Sequence, residues 1–111
     1  MTSALDPVIH PVHRLQVCAM LDAATTLETS VIKHQLGLSA SALSKQVAAL
    51  IDAGYVRQDR SGPDSRKVWL SLTKAGSAAY HGHVAALQAI VAQTETTPSA
   101  PAPSPGPGQD I

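Results

Sequence analysis

Residues 37–76 read GLSASALSKQVAALIDAGYVRQDRSGPDSRKVWLSLTKAG. Gly37 closes one segment and Ser39 opens the next, because a serine oxygen at a helix start accepts a backbone N–H that the helix leaves unpaired. The spacing of Leu43, Val47, Leu50 and Ile51 predicts a helix over 40–53 with one buried stripe, and Gly54 ends it. Two strands follow, 55–60 and 66–72, joined by Ser61-Gly62-Pro63-Asp64-Ser65, residues that favour turns. In the second strand Val68, Leu70 and Leu72 share one face, and Lys67, Trp69 and Ser71 share the other. Thr73 is placed to cap a final alanine-rich helix reaching about residue 93, with Leu87, Ile90 and Val91 on its apolar side.

Upstream, Val12 to Ala24 has no internal breaker and reads as a first helix. Its apolar residues fall on two sides: Val17, Met20 and Leu21 on one, Val12, Leu15 and Ala19 on the other. A helix apolar on two faces is buried between two layers, one its own core and the other available to a partner subunit. A short second helix, 29–36, presents Val31, Ile32 and Leu36 as apolar positions and leaves Lys33 and His34 exposed. The order helix, helix, helix, hairpin, long helix gives an α+β domain over residues 5–93, with a helix-turn-helix at its centre. From residue 94 to 111 the chain reads TETTPSAPAPSPGPGQDI and holds five of the eight prolines, which predicts an extended, disordered tail.

Composition narrows the function. At 111 residues, 44% hydrophobic and without phenylalanine, the chain can build one small core of aliphatic side chains. Its net charge is zero, but Lys33, Lys45, Arg57, Arg60, Arg66, Lys67 and Lys74 outnumber Asp52, Asp59 and Asp64 in the middle of the chain. A locally basic centre fits a modest phosphate-binding face. The single cysteine, Cys18, excludes an internal disulfide and fits a reducing, cytoplasmic setting. No apolar run approaches a membrane span, and the N-terminus lacks the pattern of a signal peptide. There is no glycine-rich phosphate loop, no nucleophile elbow and no acid pair set around a histidine, so no catalytic residues and no cofactor are expected.

The exposed side of the 40–53 helix carries Ser41, Ala42, Lys45, Ala48 and Ala49, flanked by Ser44 and Gln46, with no acid before Asp52. Short side chains let a helix backbone approach base edges, and alanine can pack on thymine methyls. The run Gly37-Leu38-Ser39, then Leu43-Ser44-Lys45, Leu50, Ala53-Gly54-Tyr55-Val56, Asp64 and Arg66, and Leu70, Leu72, Thr73 and Gly76 resembles the winged helix-turn-helix regulators of the MarR/ArsR type, in particular their short one-domain members. The resemblance covers about residues 7–91. It implies a homodimeric repressor held by its first and last helices, with two recognition helices in successive major grooves of double-stranded DNA. The implied DNA-binding residues are Ser39, Ser41, Ala42, Ser44 and Lys45 on the helix, with Arg60, Arg66 and Lys67 in a wing over 60–67. The implied dimer interface is Val12, Leu15, Ala19, Leu87, Ile90 and Val91. Relative to full-length relatives the chain lacks an additional N-terminal helix and a long second dimer helix, between which a family-type ligand pocket would lie, and the sequence assigns no effector.

Two other readings stand beside this one: a winged helix used only for protein contacts, and a repressor responding to a metal or small molecule. His10, His13, His81, His83 and Cys18 are chemically competent zinc ligands. However, His81 and His83 lie two apart on a helix and diverge by about 160°, with no acid close by. They read as surface or interface histidines, and no metal site is expected. Asp64 reads as the partner that fixes Arg66 in the turn.

Overall fold

The computed structural model describes residues 5–60 and 66–95. These form α1 (Val12–Ala24), β1 (Thr26–Glu28), α2 (Thr29–Leu36), α3 (Ala40–Asp52), β2 (Val56–Asp59), β3 (Trp69–Leu72) and α4 (Lys74–Glu95). The α+β winged-helix class read from the sequence is the class observed. The bounds of α1 and α2 are those expected, α3 ends one residue early, and α4 reaches two residues into the segment assigned to the tail. There the Thr94 hydroxyl donates to the Ile90 carbonyl at 3.1 Å, continuing the helical pattern. The remainder of the tail, 96–111, and the turn 61–65 with Asp64 lie outside the described residues.

The sheet differs from the expected two-stranded hairpin. It has three strands in the order β1-β3-β2, both pairings antiparallel, and β1 comes from the link between α1 and α2. The hairpin strands are also shorter than 55–60 and 66–72. Tyr55 N–H donates to the Leu50 carbonyl and so belongs to the end of α3. Leu27 pairs with Leu70, and Leu70 in turn with Gln58, while Trp69 stands between Glu28 and Asp59. The period of two sends Leu70, fully buried, to the core and leaves Trp69 exposed on the other side.

Ile32, Leu43, Val47, Leu50, Val56 and Leu70 close over the inner face of α1, where Val17, Cys18 and Leu21 are buried. Each such aliphatic side chain contributes about 1.5–3 kcal/mol when removed from water. The core has a member that the sequence reading missed. Ile9 precedes α1 and is completely buried.

A polar network holds that leading segment in place. Asp6 Oδ1 accepts the Val8 N–H at 2.8 Å, Asp6 Oδ2 accepts the Tyr55 hydroxyl at 2.7 Å, and the Asp6 N–H donates to His83 Nδ1 at 2.8 Å. His83 is therefore not a surface or interface histidine. It is 1% exposed inside the protomer, because α4 turns it toward the start of α1. With Nδ1 accepting, the ring proton sits on Nε2, which is buried and has no hydrogen-bond partner among the described residues. The His10 ring meets His83 edge-on, with centroids 5.4 Å apart.

Burial raises the Asp6 carboxyl, but the Tyr55 hydroxyl and the Val8 and Ile9 amides outweigh it and hold the acid below its ordinary value. Burial lowers the His83 imidazole, the neighbouring His10 lowers it further, and the pull of Asp6 does not reverse this. Both groups titrate lower in the folded chain than in the unfolded one, so each gives stability that is present above its unfolded value and lost as pH falls through its folded value. For His83 that loss begins near 6.5 and for Asp6 near 3.8. The urea midpoint should therefore fall on acidification from pH 7 to pH 5, and His83→Gln should flatten that part of the curve. An unchanged slope in the variant assigns the dependence to another group.

Gly76 explains why the chain has no side chain at the start of α4. A Cβ there would lie 2.7 Å from the carbonyl carbon and 2.9 Å from the Cα of Tyr55, both backbone atoms that cannot step aside. Gly82 on the same helix has open space around its missing Cβ. Gly76→Ala should thus destabilise the fold by about 1–3 kcal/mol or more through overpacking. Gly82→Ala should stabilise it by up to about 1 kcal/mol through helix propensity. Denaturant unfolding of the two variants checks the contrast.

Candidate nucleic-acid interface

The turn between α2 and α3 is built from local chemistry. Gly37 sits at φ 66° and ψ 33°, a left-handed conformation that glycine enters without a Cβ penalty. Its N–H, and that of Leu38, close the last turn of α2 on His34 and Lys33 carbonyls. Ser39 then caps α3, its Oγ accepting the Ala42 N–H at 3.1 Å, with Ser41 Oγ 3.4 Å away. Capping is thus one established task of Ser39.

On α3 the stripe Leu43, Val47 and Leu50 is buried and Ile51 half-buried. Ser41, Ser44, Lys45 and Ala48 are exposed, and Ala42 is half-buried. Ser44 does not face open solvent alone. With Lys33 of α2, Arg60 after β2 and Arg66 before β3, it lines a cleft of about 290 Å³ between α3 and the hairpin. The lining carries one acid, Glu28, against three cations. The structure thus brings Ser44, Arg60 and Arg66 together, sets Ser41 and Lys45 on the outward face of α3, and leaves Lys67 exposed outside the cleft.

Two features escaped the sequence reading. Lys33 looked like an ordinary surface charge because the second helix alone gives no sign that the hairpin folds beside it. Gln46 looked like a flank residue, yet its Oε1 accepts from Arg14 Nε of α1 at 3.1 Å. No residue type or spacing in the sequence signals that pair.

Cys18 and His81, competent zinc ligands by type, stand in different surroundings. Burial pushes the Cys18 thiol up to about 11, and the Asp6 carboxylate adds to the shift, so the sulfur is protonated at neutral pH. His81 Nε2 lies 3.1 Å from Asp22 Oδ1, bridging α4 to α1. Among the described residues no three His, Cys, Asp or Glu side chains gather closely enough to hold a metal ion. No helix of the described residues is long and apolar enough to cross a membrane.

A helix-turn-helix followed by an antiparallel hairpin whose cations flank the second helix defines a winged helix. The chain belongs to the winged helix DNA-binding domain family, whose model matches residues 13–91. Solved structures share the fold. The YusO protein of Bacillus subtilis is 24% identical with a TM-score of 0.71, the match covering 86% of this chain and 65% of that one. A transcriptional regulator homologue from Pyrococcus horikoshii is 19% identical with a TM-score of 0.73, covering 79% and 88%. A cysteine-to-serine mutant of MarR from E. coli, bound to operator DNA, is 22% identical with a TM-score of 0.63, covering 80% and 65%. The chain therefore spans just under two thirds of the length of YusO. No protein of curated function matches the sequence.

Proposed function

We propose that the protein is a sequence-specific, double-stranded DNA-binding transcriptional regulator that acts as a homodimer in the cytoplasm. The observation that carries this reading is the exposed face of α3. Ser41, Ser44, Lys45 and Ala48 stand on it with no acid before Asp52 in the last turn, beside the cationic cleft of Lys33, Arg60 and Arg66. In this reading α3 enters the major groove, where Ser41, Ala42 and Lys45 meet base edges. Arg60, Arg66 and Lys67 meet the backbone or the adjacent minor groove, and Ser39 and Ser44 border the two. The MarR neighbour bound to its operator supports the mode of binding.

Replacing Arg66 by Ala should lower affinity for all sequences and reduce the salt slope by about one for each phosphate no longer neutralised. Ser41→Ala should instead change base preference, at a cost of about 1–3 kcal/mol for a direct base contact. A salt titration of the wild type and both variants on a duplex selected from random sequence makes the test. If the wild type prefers no duplex, or if both variants match it, the fold serves protein contacts instead.

The dimer would use α1 and α4. Val12, Ile90 and Val91 are 60%, 47% and 53% exposed, large apolar side chains left in water on the two helices that pack together. Leu15, Ala19 and Leu87 are half-buried beneath them. A second copy laid across these helices would cover Val12, Ile90 and Val91, and would set two α3 helices about one turn of DNA apart. Because Ile90 is exposed in the protomer, Ile90→Glu should leave the fold intact and weaken the dimer. Sedimentation at micromolar concentration should show dimer for the wild type and a shift toward monomer for the variant; a purely monomeric wild type rejects the interface.

A further inference from the structure

Arg14 belongs to α1, away from the basic middle of the chain, and reaches across 32 residues of sequence to Gln46 of α3. Both side chains are half-buried, and the guanidinium Nε donates to the amide Oε1 at 3.1 Å. At about 100° per residue, Gln46 stands on one flank of the buried stripe and Ser44 on the other. The Ser44 flank borders the cleft beside the hairpin. The recognition helix is thus tied to α1 on one flank and borders the open cleft on the other.

Two interactions of different kind seat α3 on the rest of the protein. Leu43, Val47 and Leu50 seat α3 by apolar burial, which has little directional preference and leaves rotation about the helix axis weakly fixed. A charge-assisted hydrogen bond fixes direction. Rotation matters for reading DNA: a roll of about 20° moves a side-chain tip on the helix surface by about 2 Å, enough to break a hydrogen bond to a base edge. Gln46 lies between Ala42 and Ala49 along its flank, so it supplies the polar anchor there.

We infer that Arg14 is a positioning residue for DNA recognition: through Gln46 it sets the roll of α3, and with it the base edges that Ser41 and Lys45 reach. The inference rests on the reading of α3 as the recognition helix. The test is a double-mutant cycle of wild type, Arg14→Met, Gln46→Met and the double variant, with Arg14→Lys as the conservative change. Affinity is measured by fluorescence anisotropy on a selected duplex, on its single-base variants and on a random duplex, across salt concentrations.

Each single variant should lose about tenfold on the selected duplex, and the double variant no more than either single, because both remove the same bond. Discrimination against single-base variants should narrow, while random-duplex affinity and the salt slope stay as in the wild type. Those last two readouts would move if the variants merely unfolded. Arg14→Lys should recover part of the discrimination. Additive losses, or discrimination left unchanged, overturn the inference. A salt slope reduced by Arg14→Met but not by Gln46→Met also overturns it, by making Arg14 a phosphate ligand. A wild type that prefers no duplex overturns the DNA-recognition reading and this inference with it, and that outcome is visible before any variant is compared.

Discussion

The hydroxyl of Thr73 joins the parts of the fold that would meet DNA. It donates to the Gly54 carbonyl at the end of α3 at 2.6 Å and accepts the Gly76 N–H at the start of α4 at 2.9 Å. The Thr73 N–H meanwhile donates to the Tyr55 carbonyl, and the Tyr55 N–H closes the last turn of α3 on Leu50. One short stretch of backbone is therefore shared by α3, the hairpin and α4. Gly76 makes the approach possible, since any side chain there would strike Tyr55. The tyrosine ring extends the junction further, because its hydroxyl holds Asp6 and so the leading segment. The core would survive loss of this junction better than would the angle between α3 and the wing.

What was legible in the sequence was local. Gly37 and Ser39 act within three or four residues of themselves, as does the Thr73 cap on Gly76, and each does in the structure what its chemistry suggests; only the second Thr73 bond, to Gly54, needed the fold. The stripe Leu43, Val47 and Leu50 needed only the helical period. What was not legible depends on partners far along the chain. β1 is three residues long and exists through its pairing with β3. The turn into it uses Thr25 at φ 72°, where a β-branched residue gives no turn signal. Ile9 and His83 are buried because the leading segment folds onto α4, 77 residues away. The same limit applies to the site. The face of α3 could be read from its own period, whereas the cleft that adds Lys33 to Arg60 and Arg66 needs the hairpin in place.

The division of charge has a physical logic of its own. A neutral chain gains no long-range pull toward a polyanion from its net charge, so attraction must come from where its cations stand. Lys33, Arg60 and Arg66 stand beside α3, and Lys45 is the one cation on it. Such an arrangement separates holding from reading: flanking cations can meet phosphates whatever the sequence, while short side chains on the helix respond to base edges. It also makes the seating of α3 matter more, since serine and alanine cannot stretch to correct a misplaced backbone.

The single tryptophan of the chain occupies the sheet, not the core. Trp69 lies between Glu28 and Asp59 on the outer face and is 39% exposed. The protein thus carries an intrinsic fluorophore on its wing. Its emission in the native state should resemble that of a partly hydrated indole, and it should respond to events at the hairpin before it responds to the helical core. An unfolding curve followed by this signal and one followed by helical circular dichroism would coincide only if the wing and the core melt together. Their separation would measure how independently the wing moves.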